Sequence, residues 1–198
     1  MPVQLLDLYH GNNVTSFHAI ADSGVVGIVF KATQGTSVVD PAFSSYVSRA
    51  KACDLLAGAY HFFDPDADPV LQAEHFHNTA QMGAGTLGLW LDVETLSKSS
   101  PENIGAHAAK ASDRLKALTG HYPGIYASDS FYQSYLKADF PVGYYKLWIA
   151  KYSVQRPATP CQIWQYSESG TVNGVDGAVD RDSYNGTLGQ LKTELVLP

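Results

Sequence analysis

Gly88-Leu-Trp-Leu-Asp-Val-Glu94 is an apolar run that ends in two acids separated by one valine. On an extended strand side chains alternate between faces, so Asp92 and Glu94 share a face and lie about 6 to 7 Å apart along the chain. A helix is predicted next. Ser100 can cap it, Pro101 takes its first turn, and Ile104, Ala108, Ala111, Leu115 and Leu118 recur at spacings of four and three. A buried strand feeding an amphipathic helix is the repeating unit of parallel β/α folds.

Working outward, similar β-rich runs occupy Val3–Leu8, Val25–Thr33, Leu55–Phe63, Thr86–Val93, Gly124–Ala127, Lys146–Lys151 and Gln162–Tyr166, with a weaker one near Val179. Helical patterns at Val14–Asp22, Pro41–Ala52, Pro69–Met82 and Ser130–Lys137 alternate with the earlier runs. In the last third, Gln155–Pro160 and Ser169–Gly177 are too broken by proline and glycine for crossover helices. The expected fold is α/β, an irregular TIM-barrel-like (β/α) barrel of about eight strands and roughly five helices, smaller than the roughly 250 residues of a full one. An open doubly wound sheet is the alternative, but no Gly-x-Gly-x-x-Gly or phosphate loop follows a strand to support it.

The 198 residues, 45% hydrophobic and only 16% charged, suffice for one core, and a single domain over residues 1–198 is expected. A net charge of -6 argues against nucleic acid as a partner, because binding a phosphate backbone needs a basic footprint. No apolar run is long enough to span a bilayer, and the start Met-Pro-Val-Gln-Leu-Leu has neither the basic head nor the apolar stretch of a secretory signal. No membrane partner and no signal peptide are expected. Cys53 and Cys161 fall at the amino ends of strands on different sides of a barrel, which predicts free thiols. Zinc spacings are missing, and His75 and His77, two apart on a helix, diverge, so no metal site is expected.

Barrel active sites form where strands end, so the residues there carry the functional reading. Asp7 ends the first strand, Lys31 and Gln34 the second, Tyr60, His61 and Asp64 the third, and Asp92 and Glu94 the fourth. Tyr126 and Asp129 end the fifth, Lys151 and Tyr152 the sixth, Gln165 and Tyr166 the seventh, and Asp180 the last. Four carboxylates inside a ring of aromatic and amide side chains suit a neutral sugar polymer, since rings stack on sugar faces and acids bind hydroxyls. A divalent metal also uses clustered acids, but glycosidases need two carboxyl groups flanking the scissile bond. Crowded carboxylates cannot all ionise cheaply, so one should keep a proton near neutral pH.

Taken together, the strand ending in Asp7, Ile28-Val-Phe-Lys-Ala-Thr-Gln-Gly35, Gly58-Ala-Tyr-His-Phe-Phe63, Leu91-Asp-Val-Glu94, Leu147-Trp-Ile-Ala-Lys-Tyr152, Ile163-Trp-Gln-Tyr166 and Val179-Asp-Arg-Asp-Ser-Tyr-Asn-Gly186 resemble glycoside hydrolase family 25, the muramidase-type lysozymes. The resemblance covers nearly the whole chain in the right order. It implies cleavage of the β-1,4 bond between N-acetylmuramic acid and N-acetylglucosamine in bacterial peptidoglycan, without a cofactor and with retention of configuration. By that likeness Glu94 is the general acid, Asp92 supports the reacting sugar, Asp7 and Asp180 complete an acidic floor, and Tyr60, Tyr126, Trp148 and Gln165 line the groove. Lys31 is either a charged groove residue or the partner that keeps one carboxylate ionised. Two positions depart from the common pattern. Asp182 stands where many members have Asn, and Gln34 where an acid is common.

The expected partner is a bacterial peptidoglycan strand, met by a monomer acting on the cell wall from outside or at lysis as an endolysin does. Two other readings compete. One is a catalytically silent wall-binding module, against which the intact Asp92 and Glu94 speak. The other is a chitinase-like glycosidase, whose further upstream acids are replaced here by Trp90 and Gly88.

Overall fold

The computed structural model describes residues 3–81, 83–98 and 103–198. Eight strands close into a barrel: β1 Val3–Leu8, β2 Val25–Gln34, β3 Leu56–Phe62, β4 Leu89–Asp92, β5 Gly124–Ser128, β6 Leu147–Ala150, β7 Ile163–Gly170 and β8 Val179–Tyr184. From β1 to β7 each strand pairs parallel with the next. The last strand breaks the rule, because β8 runs antiparallel to both β7 and β1 and closes the cylinder between them. Asp180 therefore stands at the beginning of its strand, which corrects the expectation that it ends one. The reversal is also what brings it to the mouth, opposite Asp7 in the β1–β8 register.

Helices α1 Phe17–Asp22, α2 Phe43–Lys51, α3 Pro69–Ala80, α4 Ile104–Thr119 and α5 Asp129–Phe131, which continues as a π turn over Tyr132–Leu136, correspond to the expected set with trimmed ends. The first begins late because Asn13–Val14 pairs with Val175–Asp176 and Ser16 caps the helix through the Ala19 N–H. The cap assigned to Ser100 and Pro101, and the helix end at Met82, lie outside the described residues. A sixth helix, α6 Leu188–Leu195, was not expected. It starts at a reciprocal cap in which Thr187 accepts from the Gln190 N–H and Gln190 accepts from the Thr187 N–H.

Strand alternation sorts the core into two layers. Val3, Leu5, Val29, Tyr60, Trp90, Tyr126, Trp148, Ile163 and Tyr184 fill the cylinder, and Leu191 and Leu195 of α6 pack into the same cluster with Leu87. Leu6, Ile28, Phe30, Ala59, Leu91, Ile125 and Ile149 point outward against Ile20, Phe43, Phe76, Ala108 and Leu115 of the helices. Burying each large aliphatic side chain contributes roughly 1.5–3 kcal/mol. The largest filler is Trp90, whose ring fits because Gly124 faces it: a Cβ there would come within 2.3 Å of the indole. Trp90 lies two residues below Asp92 on the same face, as strand parity requires. Cys53 and Cys161 are free, and among the described residues no helix is long and apolar enough to cross a membrane.

Candidate active site

At the carboxyl ends of β1–β7 the barrel opens into a cleft of ≈ 380 Å³. Asp7, Lys31, Tyr60, Asp92, Glu94, Tyr126, Trp148, Gln165 and Asp180, all expected from the sequence, line it together. Tyr9, Phe62, Tyr152 and Glu168 join them. Tyr9 and Phe62 were legible, since each follows an inward residue by two. Glu168 was not: the strand was expected to end at Tyr166, but β7 runs on to Gly170. Val179 pairs with Gly170 and Arg181 with Ser167, so Glu168 and Ser169 oppose Asp180 alone, and this β-bulge turns Glu168 toward the cleft. Other strand-end residues lie elsewhere. His61 faces α3 and bonds Thr33 and Gln72, Asp129 accepts from Thr159 in an adjoining recess, and Tyr166 donates to Gln4 on the barrel wall.

Asp92 ends β4, yet the extended course continues past it because the Val93 N–H donates to the Tyr126 carbonyl at 3.0 Å. Val93 is buried on the outer side and Glu94 returns to the cleft. Asp92 is 6% exposed, and its Oδ1 finds no donor among the described residues. Burial, then the charge of Glu94, pushes the Asp92 carboxyl well above the ordinary range, and Lys31 pulls it back. Glu94 reaches solvent at the cleft mouth, but its carboxyl is crowded enough that desolvation, aided by Asp180 and opposed by Lys31, still raises it. Both groups favour the protonated form. Lys31, anchored by a 2.8 Å bond to Gln34 and lying over the Phe62 ring, is the cation that faces them, which supports its reading as a charge partner. Gln34, where an acid was the common alternative, thus holds the lysine.

The floor is a hydrogen-bonded chain. Tyr126 and Tyr152 donate to Gln165 Oε1 at 2.9 and 3.0 Å, and Gln165 Nε2 donates to Asp7 Oδ2 at 2.7 Å. Beneath it Trp148 packs edge-on against Tyr126, with ring centroids 4.6 Å apart, and its indole donates to Asp182 at 2.7 Å. Burial, Asp182 and Asp180 together push Asp7 well up. Desolvation raises the Tyr60 and Tyr126 phenols too, so they stay neutral donors throughout the working range. Among the described residues no three His, Cys, Asp or Glu are arranged to hold a metal ion. The site can deliver a proton at one rim, place a carboxylate beneath the reacting atom and bind hydroxyls across the floor.

Comparison with known proteins gives this arrangement a context. The family model of the glycosyl hydrolases family 25 matches residues 6–175. The autolytic lysozyme of Clostridium acetobutylicum is 32% identical over 185 residues, covering 91% of this chain and 55% of its own length. The N,O-diacetylmuramidase of Chalaropsis is 31% identical over 203 residues, covering 90% of this chain and 96% of its own. The crystal structure of a bacterial lysozyme from Streptomyces coelicolor superposes with a TM-score of 0.89 at 26% identity, over 98% of this chain and 97% of that one. The chain thus spans little more than half of the clostridial relative and nearly all of the Chalaropsis one.

Proposed function

Since this chain belongs to glycosyl hydrolases family 25, we propose that it is a peptidoglycan hydrolase, a lysozyme that cleaves the β-1,4 bond between N-acetylmuramic acid and N-acetylglucosamine. One observation carries the reading: an acid exposed at the cleft, Glu94, whose carboxyl desolvation raises, stands beside a buried acid, Asp92, that is raised further, with Lys31 acting on both. Coupled carboxyls of this kind hold one proton between them. Burial favours Asp92, but sugar settling over Glu94 strips its water and strengthens its hold on the proton. Glu94 then protonates the leaving oxygen as the C1–O bond breaks, and Asp92, now ionised, stabilises the positive charge at C1. Glu94, left as carboxylate, takes a proton from the water that completes hydrolysis.

Asp7 and Asp180 bind hydroxyls from the floor, while Tyr60, Tyr126, Trp148 and Gln165 shape it and Lys31 balances its charge. In this reading the catalytic unit is a monomeric domain over residues 1–198 that works on the bacterial wall and needs no cofactor. Whether it arrives there by export or at lysis, the substrate is the same. Mass spectrometry of digested peptidoglycan tests the proposal. New reducing ends on N-acetylmuramic acid are expected, and ends on N-acetylglucosamine would overturn it.

A further inference from the structure

Asp182 is an ionisable group of the barrel floor that the chemistry above leaves unused. It is 1% exposed, its Oδ1 accepts from the Trp148 indole, and its Oδ2 has no donor among the described residues. The Asp182 and Asp7 carboxyls are nevertheless within hydrogen-bond reach of one another. Two carboxyl groups in contact and out of water repel unless a proton lies between them. The backbone brings the two near, because β8 sets Asp182 beside Leu5 of β1, two residues from Asp7, and beside Gln165 of β7, whose amide donates to Asp7.

We propose that Asp182 is a positioning residue: it shares one proton with Asp7 in the working protein, and the bond so formed fixes the Asp7 carboxyl beneath the substrate. Asp7 is then held by the Gln165 amide from β7 and by the proton it shares with Asp182 from β8, and its orientation is locked from both sides. The charged groups around Asp182 are few. Asp7 faces it from β1 and Asp180 and Arg181 flank it on β8, whereas β6 and β7 present the neutral Trp148 and Gln165. Arg181 is committed elsewhere, donating to the Thr171 carbonyl and to Gln4. Burial outweighs the bonds that favour ionisation and lifts the Asp182 carboxyl to about 8. Only the purpose of holding Asp7 rests on the hydrolase reading; the shared proton does not.

The test follows the indole. Three tryptophans give three indole N–H signals in a nitrogen–proton NMR spectrum, and that of Trp148 is identified by its loss in Trp148→Phe. In the wild type it is expected to titrate with a midpoint near 8, and in Asp182→Asn to stay flat over that range. A midpoint near the ordinary 3.8 would overturn the shared proton. Activity reads the positioning. Asn can accept from Trp148 and donate to Asp7, so Asp182→Asn should keep rates within about tenfold, while Asp182→Leu loses about a hundredfold, the usual cost of a misplaced group. Equal loss in both variants, or wild-type rates in Asp182→Leu, would overturn the role. Should the leucine variant not fold, a loss of more than about a hundredfold in folded Asp182→Asn does so instead. Failure of the wild type to cleave peptidoglycan would sink the hydrolase reading and leave the indole titration to decide the proton.

Discussion

At the scale of single residues, the burden falls on one proton and on the group that delivers it. Glu94→Gln removes the donor but little packing, so turnover should fall by about 10²–10⁴-fold with an unchanged melting temperature; a variant that cleaves peptidoglycan at the parent rate excludes Glu94 as the acid. Because its carboxyl is raised by desolvation, the proton persists above the usual carboxylate range. Activity should decline on the alkaline side as it is lost, and rates that stay level up to about pH 9 would count against that assignment. Period-two alternation was enough to pair Asp92 with Glu94 in the sequence, while Tyr60 and Gln165 were found as strand-end residues and given a groove role by the family resemblance. Alternation failed at Glu168, where a bulge shifts the parity, and at Asp182, whose importance lies in which side chains surround it. Spacing along the chain does not encode that.

At the scale of elements, the seven parallel strands were legible because each is an apolar run bounded by turn residues, and the first five helices because helical patterns fall between those runs. Strand direction was not: a run such as Val179–Tyr184 reads alike either way, and the broken segments before it showed only that no crossover helix precedes it. Helix α6 announced itself solely through Thr187 and Gln190, a short signature easily taken for a loop. Thr187→Ala should cost about 1 kcal/mol and show as a lower denaturation midpoint, since Leu191 and Leu195 seat in the barrel core. Gly124→Ala should cost about 1–3 kcal/mol by overpacking, because the Trp90 indole lies directly against Gly124 and packs edge-on with Trp148. An urea midpoint equal to wild type would show that the indole moves freely.

For the whole molecule, buried acids make stability depend on pH in a direction that can be worked out. Asp7, Asp92 and Asp182 have folded values raised above the ordinary 3.8, so the contribution of their neutral forms is complete below 3.8 and drains away as pH rises, ending near 8 for Asp182. His61 acts oppositely. Burial lowers it from 6.5 to about 4, so its contribution is full above 6.5 and lost as pH falls toward 4. Between about pH 6.5 and 8 only the carboxyls operate, and the melting temperature should fall across that interval, less steeply in Asp182→Asn; a rise would contradict the assignment. The reversed last strand has a further consequence, one of timing. Synthesis proceeds from the amino end, so a nascent chain halted before residue 179 has β1 and β7 as bare sheet edges and lacks the partner that faces Asp7. A barrel built in this order closes only once its eighth strand has been made.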